Sequence, residues 1–225
     1  MTVLHLADET EAADLAAFLS RLLHYDRGAA VRLQATGTAL AVFGRPPSFE
    51  VLAVRAVRLA KPYENGLDLT LDVTVSAGEL LESIDEAAAT AVVPSAVTGP
   101  PWAGLLPPRG GWRTEPGLPA PDALHAMVAA AVAEFRSRTQ ELAPERRTRA
   151  ELDRIGREIW SRTVGDTNLP VRAVHAAQSL GFLRPTQTAG NPALFSSGAW
   201  LRLRTPYGSI AVRRAGLGAL DVTVR

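Results

Sequence analysis

The chain contains no cysteine, which removes two classes at once, because a disulfide framework and a thiolate metal site both need it. Lysine is almost missing as well. Lys61 stands alone against 23 arginines, a bias that reads as GC-rich bacterial coding rather than as chemistry. No run of about 18 apolar residues occurs, so no segment has the length of a membrane-spanning helix. The opening residues, Met-Thr-Val-Leu-His-Leu-Ala-Asp-Glu-Thr, lack the basic start and long apolar stretch of a secretory signal. These absences point to a cytoplasmic protein with no membrane partner.

Recognisable catalytic constellations are missing too. Nucleophilic catalysis needs an activated Ser, Cys or Lys beside a base. No Gly-x-Ser-x-Gly elbow is present, and Ser196-Ser197-Gly198 lacks both the leading glycine and a strand-to-helix setting. His5, His24, His125 and His175 are scattered singly, without the i, i+4 spacing of a zinc-protease helix. His24 and His175 fall near helical apolar faces, where a partly buried histidine is the ordinary reading. No phosphate-binding Gly-Lys-Ser/Thr loop occurs, and Gly216-Leu217-Gly218 is too short for a dinucleotide fingerprint. Asp68 and Asp72 fall on one face of a strand, either as a cation pair or, more commonly, as its wet side. The chain therefore reads as non-catalytic, with no catalytic residues, no metal site and no cofactor.

What the chain does have is a globular composition: 225 residues, 47% apolar and 21% charged. That length holds one large domain or two small ones. Residues 8–26 read as an amphipathic helix, with Asp8, Glu9 and Glu11 at its positive end and Leu15, Phe18, Leu19, Leu22 and Leu23 at helical spacing. Residues 31–34, 39–43, 49–59 and 67–75 read as strands, separated by glycine and proline turns. A helix over 77–89 closes this first unit. Residues 94–121 hold eight of the sixteen prolines together with Trp102 and Trp112, and so form a connector.

Beyond it, helices are expected over 122–142, 146–163 and from Pro170, with Gly181 as a left-handed cap. A hairpin is expected over 200–213, turning at Thr205-Pro206-Tyr207-Gly208. The pentamer Leu71-Asp72-Val73-Thr74-Val75 recurs as Leu220-Asp221-Val222-Thr223-Val224, an echo that a duplicated helix-plus-meander unit would leave. The expected class is α+β: a helix-plus-antiparallel-meander unit over 1–93, the connector over 94–121, and a three-helix-plus-hairpin unit over 122–225.

Charge separates the two units. Residues 1–120 carry 9 Lys+Arg against 14 Asp+Glu, and residues 121–225 carry 15 against 9. A basic half beside an acidic one suggests an anionic partner, with nucleic acid the usual candidate. The segment Val171-Arg172-Ala-Val-His-Ala-Ala-Gln-Ser-Leu180-Gly181-Phe182-Leu183-Arg184-Pro185, followed by a hairpin, resembles the recognition helix and exit of bacterial winged helix-turn-helix domains. The resemblance covers about residues 146–214. It implies duplex DNA as partner, with Arg172 facing the major groove and Arg184, Arg202, Arg204, Arg213 and Arg214 meeting phosphates or the minor groove.

Against it stands the ordinary reading that Arg202 and Arg204 are the polar face of a hairpin. Helix 146–163 also carries Arg147–Glu151, Arg149–Asp153 and Arg154–Glu158 at i, i+4, which neutralises part of its charge in place. The alternative function is a protein-binding or chaperone-like module. Trp102, Leu105, Leu106 and Trp112 then serve either to pack the domain junction or to hold a protein partner.

Overall fold

Helix α1 (Glu9–Tyr25) starts where Asp8 accepts a hydrogen bond from the Glu11 N–H at 2.9 Å, leaving Glu9 and Glu11 in the positive first turn. Before it lies β1 (Val3–His5), and after it come β2 (Ala30–Thr36), β3 (Ala39–Gly44), β4 (Leu52–Arg58) and β5 (Leu71–Ser76). The computed structural model describes residues 2–60, 71–184 and 190–214. Asp68 and the second pentamer, 220–224, lie outside the described residues, so the echo is seen only in β5.

The expected helix over 77–89 is a single short turn, α2 (Ala77–Glu82), capped by Ser76. The chain then folds into β6 (Ile84–Asp85) and β7 (Thr90–Val92), and β7 pairs with β1 in a three-stranded sheet. Two contacts override the helix propensity of Ala87-Ala88-Ala89. Asp85 accepts from the Ala88 N–H in a local turn, and the Ser83 hydroxyl donates to the carbonyls of Leu80 and Val92.

The second unit comprises β8 (Arg113–Glu115), α3 (Pro121–Gln140), α4 (Arg149–Trp160), α5 (Val171–Ser179), β9 (Ala193–Ser197), β10 (Trp200–Thr205) and β11 (Gly208–Arg213). Pro121 occupies the first turn of α3, and the Thr148 hydroxyl caps α4. Gly181 sits at φ 74° after α5. Its N–H bonds the Gln178 carbonyl, and the Phe182 N–H reaches back to the Ala177 carbonyl, a complete Schellman closure.

The fold is α+β, and its two units share one sheet. The eight strands run β5-β2-β3-β4-β11-β10-β9-β8, every neighbouring pair antiparallel. Two three-strand meanders thus stand back to back, joined through their last strands, with Val54 opposite Ser209.

Strand alternation divides the sheet into two faces. On the first face Leu33 lies opposite Val42, and two residues along, Ala53, Ile210, Leu203 and Leu194 form a second cross-strand row, all buried. That face packs into a single core with Leu15, Phe18 and Leu22 of α1, Leu124 of α3, Ile155 and Ile159 of α4, and Val174 of α5. The core is therefore common to both units. No helix among the described residues is long and apolar enough to cross a membrane.

Candidate functional site

Among the described residues, the opposite face of the sheet carries no α-helix. Its apolar patch is small: Phe43, Leu52, Val54 and Ala211, joined by Ala41 and Trp200. The proline-rich connector crosses it from one edge to the other. Ala96 bridges Val75 of the edge strand β5, and Arg32 donates to the Ala103 carbonyl. Trp102 and Leu106 then cover the apolar patch, which holds residues from both units. At the far edge the Ser197 hydroxyl donates to the Gly110 carbonyl, and β8 joins β9. Proline suits this path because the strap runs across strands rather than within them and needs no ladder hydrogen bonds. Leu105 alone of the four connector residues points out, 59% exposed. Trp112 is held by its indole N–H, which donates to the Pro108 carbonyl at 3.0 Å.

Beyond the strap, over β8 to β11, arginines and aromatic rings interleave. Register places Ser197, Trp200 and Arg213 in one cross-strand row, with Phe195 opposite Arg202 in the next and Ala193 opposite Arg204 in the third. Each guanidinium lies over a ring: Arg202 over Trp112 at 5.7 Å, Arg204 over Phe195 at 5.1 Å, and Arg213 over Trp200 at 5.6 Å. Arg204 and Arg213 are exposed, whereas Arg202 is largely sunk between its neighbours. Burial, and secondarily the Arg204 charge, pulls the Arg202 pKa down. None of the three has a carboxylate partner among the described residues.

Three arginines on or beside the helices differ. Arg138 binds Glu158 at 2.7 Å, Arg162 binds Glu134 at 2.5 Å, and Arg154 binds Glu151 at 2.6 Å. The Arg138 hydrogen bond and charge hold the Glu158 carboxyl at about 2. Of the expected i, i+4 pairs, Arg149–Asp153 and Arg154–Glu158 form at 3.7 Å. Arg147 lies before α4 and instead donates to the Gln140 and Leu142 carbonyls. Among the described residues of this half, the arginines without a carboxylate partner are Arg136, Arg147, Arg157 and Arg172 off the sheet and Arg202, Arg204 and Arg213 together on it.

The six arginines singled out in the sequence do not form one surface. Arg202, Arg204 and Arg213 share the open face, but α5, and with it Arg172, packs on the other side of the sheet. Arg184 donates to Asp14 at 3.0 Å and to the Gly181 carbonyl, and lies 4.0 Å above the Tyr207 ring. Arg214 is paired with Glu115 at 3.1 Å. The order of three helices and a hairpin is present, but β11 is paired to β4 along its other edge, so the hairpin is not a free wing. Helix α5 and the arginines of the hairpin thus lie on opposite sides of the sheet.

Sequence reading missed a buried ion cluster where the units meet. Arg55 on β4 donates to Glu11 at 2.9 Å, to Asp14 at 3.3 Å and to the Tyr207 carbonyl at 2.7 Å. Arg58 binds the second Glu11 oxygen at 2.8 Å and Asp8 at 3.0 Å. The signal was there in the spacing, since Arg55 stands at period two with Ala53 and Val57 and so shares their core-facing side of the strand. Asp72, read as half of an acidic pair, is instead the acceptor for Arg32 and Gln34, and Arg32 lowers its pKa. Among the described residues no group of three or more His, Asp or Glu side chains could hold a metal ion.

His175 stacks on Trp160, centroids 4.6 Å apart, and meets the edge of Phe49 at 5.1 Å. Burial lowers its pKa below the ordinary 6.5. The unfolded chain then binds the proton first as pH falls, so stability is full above 6.5 and declines below it until the folded pKa is passed. Urea melts at about pH 7.5 and about pH 5.5 should show this loss in the native protein and a smaller one in His175→Phe.

Residues 1–104 are similar to a family described as a domain of unknown function, DUF8010. Residues 107–217 are similar to a second, DUF8185. The two matches meet inside the strap, between Gly104 and Pro107, whereas the sheet and core run through both. No curated protein matches the chain.

Proposed function

We propose that this protein is a non-catalytic nucleic-acid-binding protein that uses the open sheet face of its basic half, not α5. The observation that carries the reading is the trio Arg202, Arg204 and Arg213, unpaired with carboxylates among the described residues and set over aromatic rings on one face. Three neighbouring sheet arginines that lie over rings and have no carboxylate partner among the described residues make a surface suited to phosphates.

Fluorescence anisotropy with random-sequence single-stranded and duplex probes tests it at about 50 and about 200 mM salt. Three phosphate contacts release enough counterions to weaken binding roughly 20- to 40-fold over that range. The double variant Arg204→Ala/Arg213→Ala should bind more weakly and lose about two thirds of the salt slope. No binding at the lower salt overturns the proposal. A protein partner at the strap is a second reading, favoured by the exposure of Leu105 alone. It predicts binding that is insensitive to salt and is abolished by Leu105→Asp.

A further inference from the structure

We infer that the nucleic acid taken by this face is single-stranded, its bases stacking on Phe195 and Trp200 while Arg204 and Arg213 leave those rings for phosphates. The inference rests on the proposed function and adds the substrate class.

The first ground is shape. Duplex DNA offers base edges at the bottom of a groove, which a protruding helix or an isolated two-stranded ribbon enters. Here β10 and β11 are interior strands of an eight-stranded sheet, flanked by β9 and β4, so neither projects. A flat sheet cannot reach base edges, but it can offer ring faces to bases already unstacked.

The second ground is the placement of the rings. Trp200 pairs with Ser197, and Phe195 lies two residues further along β9 on the same face. That is the diagonal cross-strand relation, about 7–8 Å between positions, close enough for successive bases of one extended strand. Trp112, tied down through Pro108, precedes β8 at the same end of this face.

The third ground is what covers the rings now. A guanidinium over a π-face is a planar cation occupying the place of a base, and it can be exchanged for one. Arg204 and Arg213 are exposed and have no carboxylate among the described residues to hold them there. When a base takes the ring, the freed arginine stands beside the phosphate that joins it to the next base. The same side chains thus serve as placeholders in the free protein and as phosphate ligands in the complex.

The test uses the full chain and three probes of about 15 nucleotides, near the upper site size of single-strand binders. They are an oligothymidylate, an abasic strand of the same length and charge, and a duplex. An oligouridylate beside the oligothymidylate separates RNA from DNA as the source of the strand. The expected result is quenching of tryptophan fluorescence and at least about 10-fold tighter binding of the base-bearing strand than of the abasic strand or the duplex. Phe195→Leu should lose about 10-fold for the base-bearing strand with abasic binding unchanged. Trp200→Leu serves as the second variant, provided its melting temperature stays native. Equal binding of abasic and base-bearing strands, or preference for the duplex, overturns the stacking inference and leaves the proposed function standing. Failure of every probe to bind at low salt removes both.

Discussion

Arg55→Leu is expected to destabilise the protein by about 3–5 kcal/mol, the usual effect of removing one partner from a buried charge pair. Arg55 is 5% exposed, and its carboxylate partner Glu11 is 8% exposed. Without the guanidinium, Glu11 keeps, among the described residues, its contact to Arg58 at the rim. Asp14 keeps only Arg184, and the Tyr207 carbonyl loses its donor. At about 2–4 °C per kcal/mol for a chain of this size, the melting temperature should fall by about 10 °C. Thermal melts followed by circular dichroism decide it, and a change below about 1 kcal/mol would make the cluster incidental.

The architecture explains why the effect should be large. Glu11 and Asp14 come from α1 and Arg55 from β4 of the first unit, whereas Tyr207 and Arg184 come from the second. The cluster therefore sits across the junction that the pairing of β4 with β11 creates. Replacing both Arg55 and Glu11 by apolar residues should cost less than Arg55→Leu alone, because no carboxylate is then stranded in the core. That ordering separates a buried-charge penalty from a simple loss of packing.

Much of the fold was legible because its elements are locally consistent. The α1 stripe, the acidic first turn of α1, the alternation of β10 and the Gly181 closure all arise from contacts a few residues apart. What remained hidden depends on long-range pairing. Nothing local announces that β4 will pair with β11, more than 150 residues on by the Val54–Ser209 register, or that β8 and β9 will extend the sheet. The poly-alanine stretch at 87–89 favours helix locally and loses to pairing of β7 with β1. The site was partly legible for the same reason. Arg202 and Arg204 were placed together by strand alternation, but Arg172 was joined to them by analogy with a wing, and only the topology reveals that the sheet lies between them. Charge counting gave the excess of the basic half but not its location, because it does not say that Arg138, Arg154 and Arg162 pair with helical carboxylates while Arg202, Arg204 and Arg213 do not.

Phe182→Ala should be comparably damaging, by about 3–5 kcal/mol, because it empties a packed position between the units. The ring is 3% exposed and stacks on Phe18 of α1 with centroids 5.4 Å apart. Its other side lies against Gly208, where an added Cβ would come within 2.6–2.7 Å of three ring carbons. Gly208 reads in the sequence as a turn residue, yet its structural need is close approach: a buried aromatic lies on the backbone of β11. Gly208→Ala therefore overpacks a ring that cannot swing away, and an expected loss of about 1–3 kcal/mol follows. The two changes should not add. In Phe182→Ala the space above residue 208 is open, so introducing Gly208→Ala there should cost far less than in the native protein. A double-mutant cycle with a coupling near the full cost of Gly208→Ala would establish that the glycine exists for the ring. Strict additivity would mean instead that the cost of the added methyl does not come from the Phe182 ring.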